Sequence, residues 1–197
     1  MRGQRDRYQK WDPSLAGLLG QTLGEASPGV LNALIPPPGV GELANQRWHC
    51  YMEANAGILG MLPKIQYGCA SISRMDSNIQ LLTEEWWLEC SKLWADKEIT
   101  LVRGSERSLT APQLLESPGS PEAVTEVLGP VQNAWDAYDD LFDRIIQADK
   151  EIVLLCTGLV ARPLVHRLTG TGRHKAYDLG HLGIWFDKGL PKLDVRA

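Results

Sequence analysis

Hydrophobic and polar positions along the chain change period repeatedly, from three-to-four spacing to near-continuous apolar runs, which predicts helices interleaved with buried strands. In "WDPSLAGLLGQTLGE", Asp12 is an N-cap, Pro13 suits the first helical position, and Leu15, Leu18, Leu19 and Thr22 or Leu23 share a face. A helix ending at Gly24 is expected. Val30 to Ile35 then reads as a short strand stopped by three prolines. A second helix begins at Asn45, with Trp48, Tyr51 or Met52, Ile58 and Leu59 or Leu62 as its apolar positions. Gly68 to Ser73 reads as extended, leading into a loop from Arg74 to Ser77.

The strongest amphipathic pattern, "NIQLLTEEWWLECSKLWADK", puts Ile79, Leu82, Trp86, Cys90 and Leu93 on one face and leads into the strand "EITLVRG". From Ser105 to Pro130, prolines and glycines predict a long surface connection holding at most a short helix near Pro121 to Leu128. An amphipathic helix on Ala134, Tyr138, Leu141, Ile145 and Ile146 follows. The run Ile152 to Cys156 then predicts a strand covered on both faces. Thr157 and Gly158 turn into a helix ended by Gly170 or Gly172, and "KAYDLG" is the next strand. The expected architecture is α/β, a Rossmann-like three-layer sandwich with a mostly parallel sheet in one domain over residues 1–197.

Composition narrows the partners. A formal charge of -4 lacks the basic footprint of a protein that grips phosphate backbones. No apolar run reaches the length of a membrane span and no signal-peptide core follows the basic start, so a cytoplasmic location is expected. Cys50, Cys69, Cys90 and Cys156 are too scattered for a zinc site or disulfide framework and read as buried thiols.

Ligands of an open parallel sheet bind beyond the carboxyl ends of the strands. Three such ends bring together Arg103, Gly104, Ser105, Glu106 and Arg107, then Thr157 and Gly158, then Asp178 and His181. This mixed carboxylate and cationic set suits a phosphorylated or sugar ligand. The Thr157-Gly158 turn places N–H groups at a helix start, where an anion is favoured. His49 and His174 read as surface residues, and His166 as a residue that favours its helix's C-terminal half. Of Trp86 and Trp87, one is expected in the core and its neighbour partly exposed, with sugar stacking as the alternative use.

The ordered set "ASISRMD", "EITLVRGSERS", "LGPVQNAWDAYDDLFDRI", "EIVLLCTGLVARPLVHRL" and "KAYDLGHLGIWF" resembles the GT-D type glycosyltransferases over nearly the whole chain. The resemblance implies a nucleotide-sugar donor, typically a UDP-sugar, with a divalent cation (Mn or Mg). Its S-R-x-x-D stretch falls on Arg74 and Asp76, and its D-x-G-H on Asp178 and His181. Glu106 and Arg107 follow the glycine after the strand, and Thr157-Gly158 stands in place of the usual glycine-proline turn.

By position, the resemblance implies catalytic roles for Asp178, His181 and Glu106. It implies donor binding by Thr157, Gly158, Gly104, Ser105, Arg74 and Arg107. The family's acidic D-x-E motif, in an R-F-G-D-G-E context expected shortly before the "YQKWDP" helix, does not occur at that place; a shortened chain, other carboxylates or an inactive relative would each account for that, and the metal ligands are unassigned. Two alternatives accompany the transferase reading: a catalytically inactive ligand-binding or interaction domain, and a phage DNA-modifying enzyme. A glycan, a protein or a modified base are the acceptors in view.

Overall fold

The computed structural model describes residues 9–25, 27–34, 57, 62, 64, 66–69, 84–104, 108–180 and 182–183. Helix α1 (Pro13–Gly24) starts as its sequence dictates, with Asp12 Oδ1 accepting from the N–H groups of Ser14 (2.8 Å) and Leu15 (3.0 Å). Strands β1 (Ala33–Leu34) and β2 (Gly68–Cys69) form a short parallel pair, the described remnant of the strand expected from Val30 to Ile35. The helix expected from Asn45 and the loop with Arg74 and Asp76 lie outside the described residues, except isolated positions.

Next come α2 (Glu84–Ser91), β3 (Glu98–Arg103), α3 (Ala111–Leu115) and β4 (Ala123–Leu128). The chain continues with α4 (Tyr138–Ala148), β5 (Ile152–Cys156), α5 (Ala161–Thr169) and β6 (Lys175–Asp178). Among the described residues, the main sheet has the order β4-β3-β5-β6, and every pairing in it is parallel.

Alternation along β3 and β5 divides the core in two. Ile99, Leu101, Ile152, Leu154 and Cys156 face Trp87, Trp94, Leu109 and Leu114, from α2, the turn after it and the α3 region. Val102, Val153 and Leu155 face Leu141 and Ile145 of α4 and Leu164 and Leu168 of α5. Helices thus cover both faces, and β5 is buried along its full length, as its apolar run requires.

Three expectations need correction. Residues 123–128 form a strand rather than a short helix: the β-branched Val124, Thr125 and Val127 suit an extended edge, and all six residues of β4 pair with β3. Nor is the 105–130 connection wholly superficial. Leu109 and Leu114 are fully buried, and a Thr110–Gln113 capping box starts α3. The face of α2 is also rotated: Trp87 and Ser91 are buried, while Trp86 and Cys90 pack only partly against the core. Trp87 donates its indole N–H to the Pro118 carbonyl at 2.9 Å, which commits it to structure rather than to sugar stacking.

Candidate functional site

The strand order fixes where a ligand crevice can form. From β3 the chain moves outward to β4 through α3 on one face; from β5 it moves the other way to β6 through α5 on the opposite face. Between β3 and β5 the two connections therefore diverge, and at their carboxyl ends lies the topological switch point, the position where an open parallel sheet forms its ligand crevice. Register places Arg103 beside Cys156 there, so the next residues, Gly104 and Thr157, begin the two rims.

The β3 rim folds back over β5. Ser108 Oγ donates to the Cys156 carbonyl at 3.4 Å. Burial, and secondarily the charge of Asp178, push the Cys156 thiol up to about 12, so it stays protonated. Gly104 has an internal reason to be glycine: a β-carbon there would lie 2.5 Å from the Pro130 carbonyl oxygen. Arg103, one of the cations expected at this strand end, is held by Glu126, with Nε donating to Oε1 at 2.8 Å.

On the β5 rim, Thr157 is 9% exposed, and its Oγ1 finds no hydrogen-bond partner among the described residues. Trp94 Nε1, Thr100 Oγ1 and His174 Nε2 share that condition, but of the four only Thr157 stands at the carboxyl edge of the sheet. A buried hydroxyl without a partner is costly, and a polar ligand arriving at the crevice would relieve it. Gly158, at φ +65, begins a short 3-10 turn (Gly158–Val160) that runs directly into α5.

The third rim follows β6. Asp178 is exposed at the strand end, and its Oδ1 accepts the Gly180 N–H at 2.9 Å in a local turn. Leu179 N–H continues the ladder to the Leu155 carbonyl at 2.9 Å. Gly183 presses on the β3 rim so closely that a β-carbon would sit 2.0 Å from Leu109 N. The structure thus brings Gly104, Thr157, Gly158 and Asp178 to one edge of the sheet. Ser105, Glu106, Arg107, Arg74 and His181 lie outside the described residues.

A family model described as "Glycosyltransferase GT-D fold" matches residues 1–192. The chain belongs to the GT-D fold glycosyltransferase family. A structure of domain of unknown function 1792 (DUF1792) in selenomethionine form superposes with a TM-score of 0.77 at 24% identity, over 95% of this chain and 71% of that one. A second, described as a domain with a distinct glycosyltransferase fold, gives 0.75 at 23% identity over the same shares. A third, a new glycosyltransferase (DUF1792) from Streptococcus sanguinis, gives 0.75 at 21% identity, over 95% of this chain and 74% of that one. No curated protein matches the sequence.

In this GT-D chain, the divalent cation implied by the resemblance meets no cluster of three His, Cys, Asp or Glu side chains among the described residues. Those residues do not by themselves fit a metal. At the opposite, amino edge of the sheet lies a charged cleft of about 490 Å³ lined by residues 149–151 and 172–175. Its cations are already matched: Arg173 pairs with Asp149 at 2.6 Å, Lys175 with Glu151 at 2.6 Å and Lys150 with Glu98 at 2.5 Å. This is an ion-pair network.

His174, expected at the surface, is buried there, with Nδ1 2.9 Å from the Lys150 carbonyl. Its place at the mouth of β6, against the chain entering β5, overrides the polar neighbours that suggested exposure. Among the described residues, no helix is long and apolar enough to cross a membrane. The sequence placed Thr157 in the turn at the ligand edge of the sheet; that its hydroxyl is buried without a partner becomes visible only when β5, α5 and the β3 rim are packed together.

Proposed function

We propose that this chain transfers a sugar from a nucleotide-sugar donor, a UDP-sugar by resemblance, to an acceptor hydroxyl, with the donor diphosphate in the crevice between β3 and β5. The observation that carries the reading is the buried, unpartnered Thr157 hydroxyl at the switch point of a chain in a glycosyltransferase family. In the proposed arrangement Thr157 donates to a diphosphate oxygen, and the start of the Gly158 turn and α5 presents its N–H groups to the same charge. In the transfer, the bond from the sugar's anomeric carbon to the diphosphate oxygen breaks and the electron pair leaves with the diphosphate. The acceptor oxygen bonds to that carbon and gives up its proton.

Asp178 at the end of β6, with His181 beyond it in the sequence, is the proposed proton acceptor. Glu106, Ser105, Arg107 and Arg74 complete the proposed site from the resemblance, and a Mn or Mg ion accompanies the donor in that reading. Calorimetry with UDP-sugars, with and without Mn²⁺, tests it. Saturable binding followed by release of UDP on addition of acceptor supports the transferase. Binding without transfer to glycan, protein or modified-base acceptors would assign the chain to the ligand-binding alternative. A folded chain that binds no nucleotide sugar would overturn both.

A further inference from the structure

One carboxylate holds both stems of the β3 rim. Glu126 lies on the edge strand β4, opposite Leu101 in the register, and its side chain reaches the end of β3. Its Oε1 accepts from Arg103 Nε at 2.8 Å and from the Ala111 N–H at 3.1 Å, and its Oε2 accepts from Arg103 Nη2 at 3.4 Å. Arg103 is the last residue of β3 and Ala111 the first of α3, so the segment 104–110 leaves from one of these contacts and returns to the other. Its described residues are Gly104 and Ser108 to Thr110.

We propose that Glu126 is a positioning residue that staples the end of β3 to the start of α3 and so sets the donor-binding edge that Gly104, Ser108 and Leu109 form on the β3 rim. The proposal rests on the transferase reading for its consequence, though not for its geometry. Three features separate the staple from an ordinary surface ion pair. The Arg103 side chain is only 17% exposed and that of Glu126 only 27%, so solvent screens the pair weakly. The guanidinium meets both carboxylate oxygens, a fork that fixes direction as well as distance.

The same oxygen also satisfies a helix-start N–H that α3 cannot pair internally. The hydrogen bond from Arg103 holds the Glu126 carboxyl below its ordinary range, so the staple stays charged through neutral and mildly acidic pH. Burial of Leu109 and Leu114 anchors the returning stem, and the Thr110 capping box fixes its direction.

The test compares wild type, Glu126→Ala, the isosteric Glu126→Gln and Arg103→Lys by amide hydrogen exchange and by donor kinetics. Glu126→Ala should accelerate exchange within 104–111 only. It should also raise the donor KM by about tenfold with kcat within about threefold, the size expected for losing a charge-assisted contact. Glu126→Gln can still accept from Ala111, so it should give a smaller KM increase. Arg103→Lys keeps the charge but loses the fork, and should fall between wild type and Glu126→Ala.

A folded Glu126→Ala protein with wild-type KM, or one whose kcat falls while KM holds, would overturn the positioning role. If Glu126→Ala does not fold, the Glu126→Gln and Arg103→Lys values decide by the same criteria. If wild type turns over no nucleotide sugar, the transferase reading fails; the staple then stands on exchange, supported by local acceleration and overturned by an unchanged 104–111 segment.

Discussion

Thr157 carries a hydroxyl that folding buries and leaves without a partner, and this makes predictions of opposite sign for the chain alone and the chain with donor. Thr157→Val removes the unsatisfied group at nearly constant volume. The variant alone should therefore be as stable as wild type or more stable by about 1 kcal/mol in urea denaturation. Donor affinity should fall by about tenfold in calorimetry, because the lost hydrogen bond would have met a charged oxygen. A destabilised variant with unaltered affinity would show that the hydroxyl serves the fold instead. Gly183 gives a second residue-scale prediction. A β-carbon there would lie 2.0 Å from Leu109 N and 2.3 Å from the Ser108 carbonyl carbon, both backbone atoms that cannot swing aside as a side chain can. Gly183→Ala should cost about 2 to 3 kcal/mol in urea denaturation; an unchanged midpoint would contradict the packing of the β6 rim on the β3 rim.

Among the elements, α1 and α5 meet through a short polar chain. His166 Nε2 lies 3.3 Å from Asn32 Oδ1, and the buried Asn32 amide donates to the Thr22 carbonyl at 3.0 Å. Burial first, then the charge of Arg162, lowers the His166 pKa below its ordinary 6.5, with Glu25 opposing. The folded chain thus favours the neutral ring. The stability this group contributes is full above the unfolded pKa and is lost as pH falls through the folded value. Urea midpoints should drop as pH falls below about 6.5, and His166→Gln should flatten the drop. An identical pH profile in the variant would rule out a contribution from His166.

Much of this level was legible in the sequence. Asp12 and Pro13 announced α1, and the five apolar residues of β5 announced a strand buried on both faces. What misled was context. Among the described residues β4 is an edge strand with only Val127 buried, so it lacks the apolar density that marks β5, and the prolines and glycines around it belong to the turns on either side. His174 sits between Arg173 and Lys175, whose charges suggest solvent, but the mouth of β6 covers its ring. The candidate site was legible as a set of strand ends. The Glu126 staple was not, because a contact across 23 residues follows only from knowing that β4 pairs with β3.

For the whole molecule, the account turns on one feature of topology. Connections leave β3 and β5 toward opposite faces and in opposite directions, and the crevice they leave is where Gly104, Thr157 and Asp178 gather. The charged cleft at the other edge has its cations matched with carboxylates, and the unpartnered atom there is the buried His174 Nε2 rather than a hydroxyl at the carboxyl ends of the strands. A map of backbone amide chemical shifts during titration with a UDP-sugar and the diamagnetic Mg²⁺ discriminates between the two edges most directly. The account predicts perturbations concentrated at Gly104, Ser108, Leu109, Thr157 to Leu159 and Asp178 to Gly180. Perturbations centred instead on residues 149–151 and 172–175, or none at saturating donor, would contradict it.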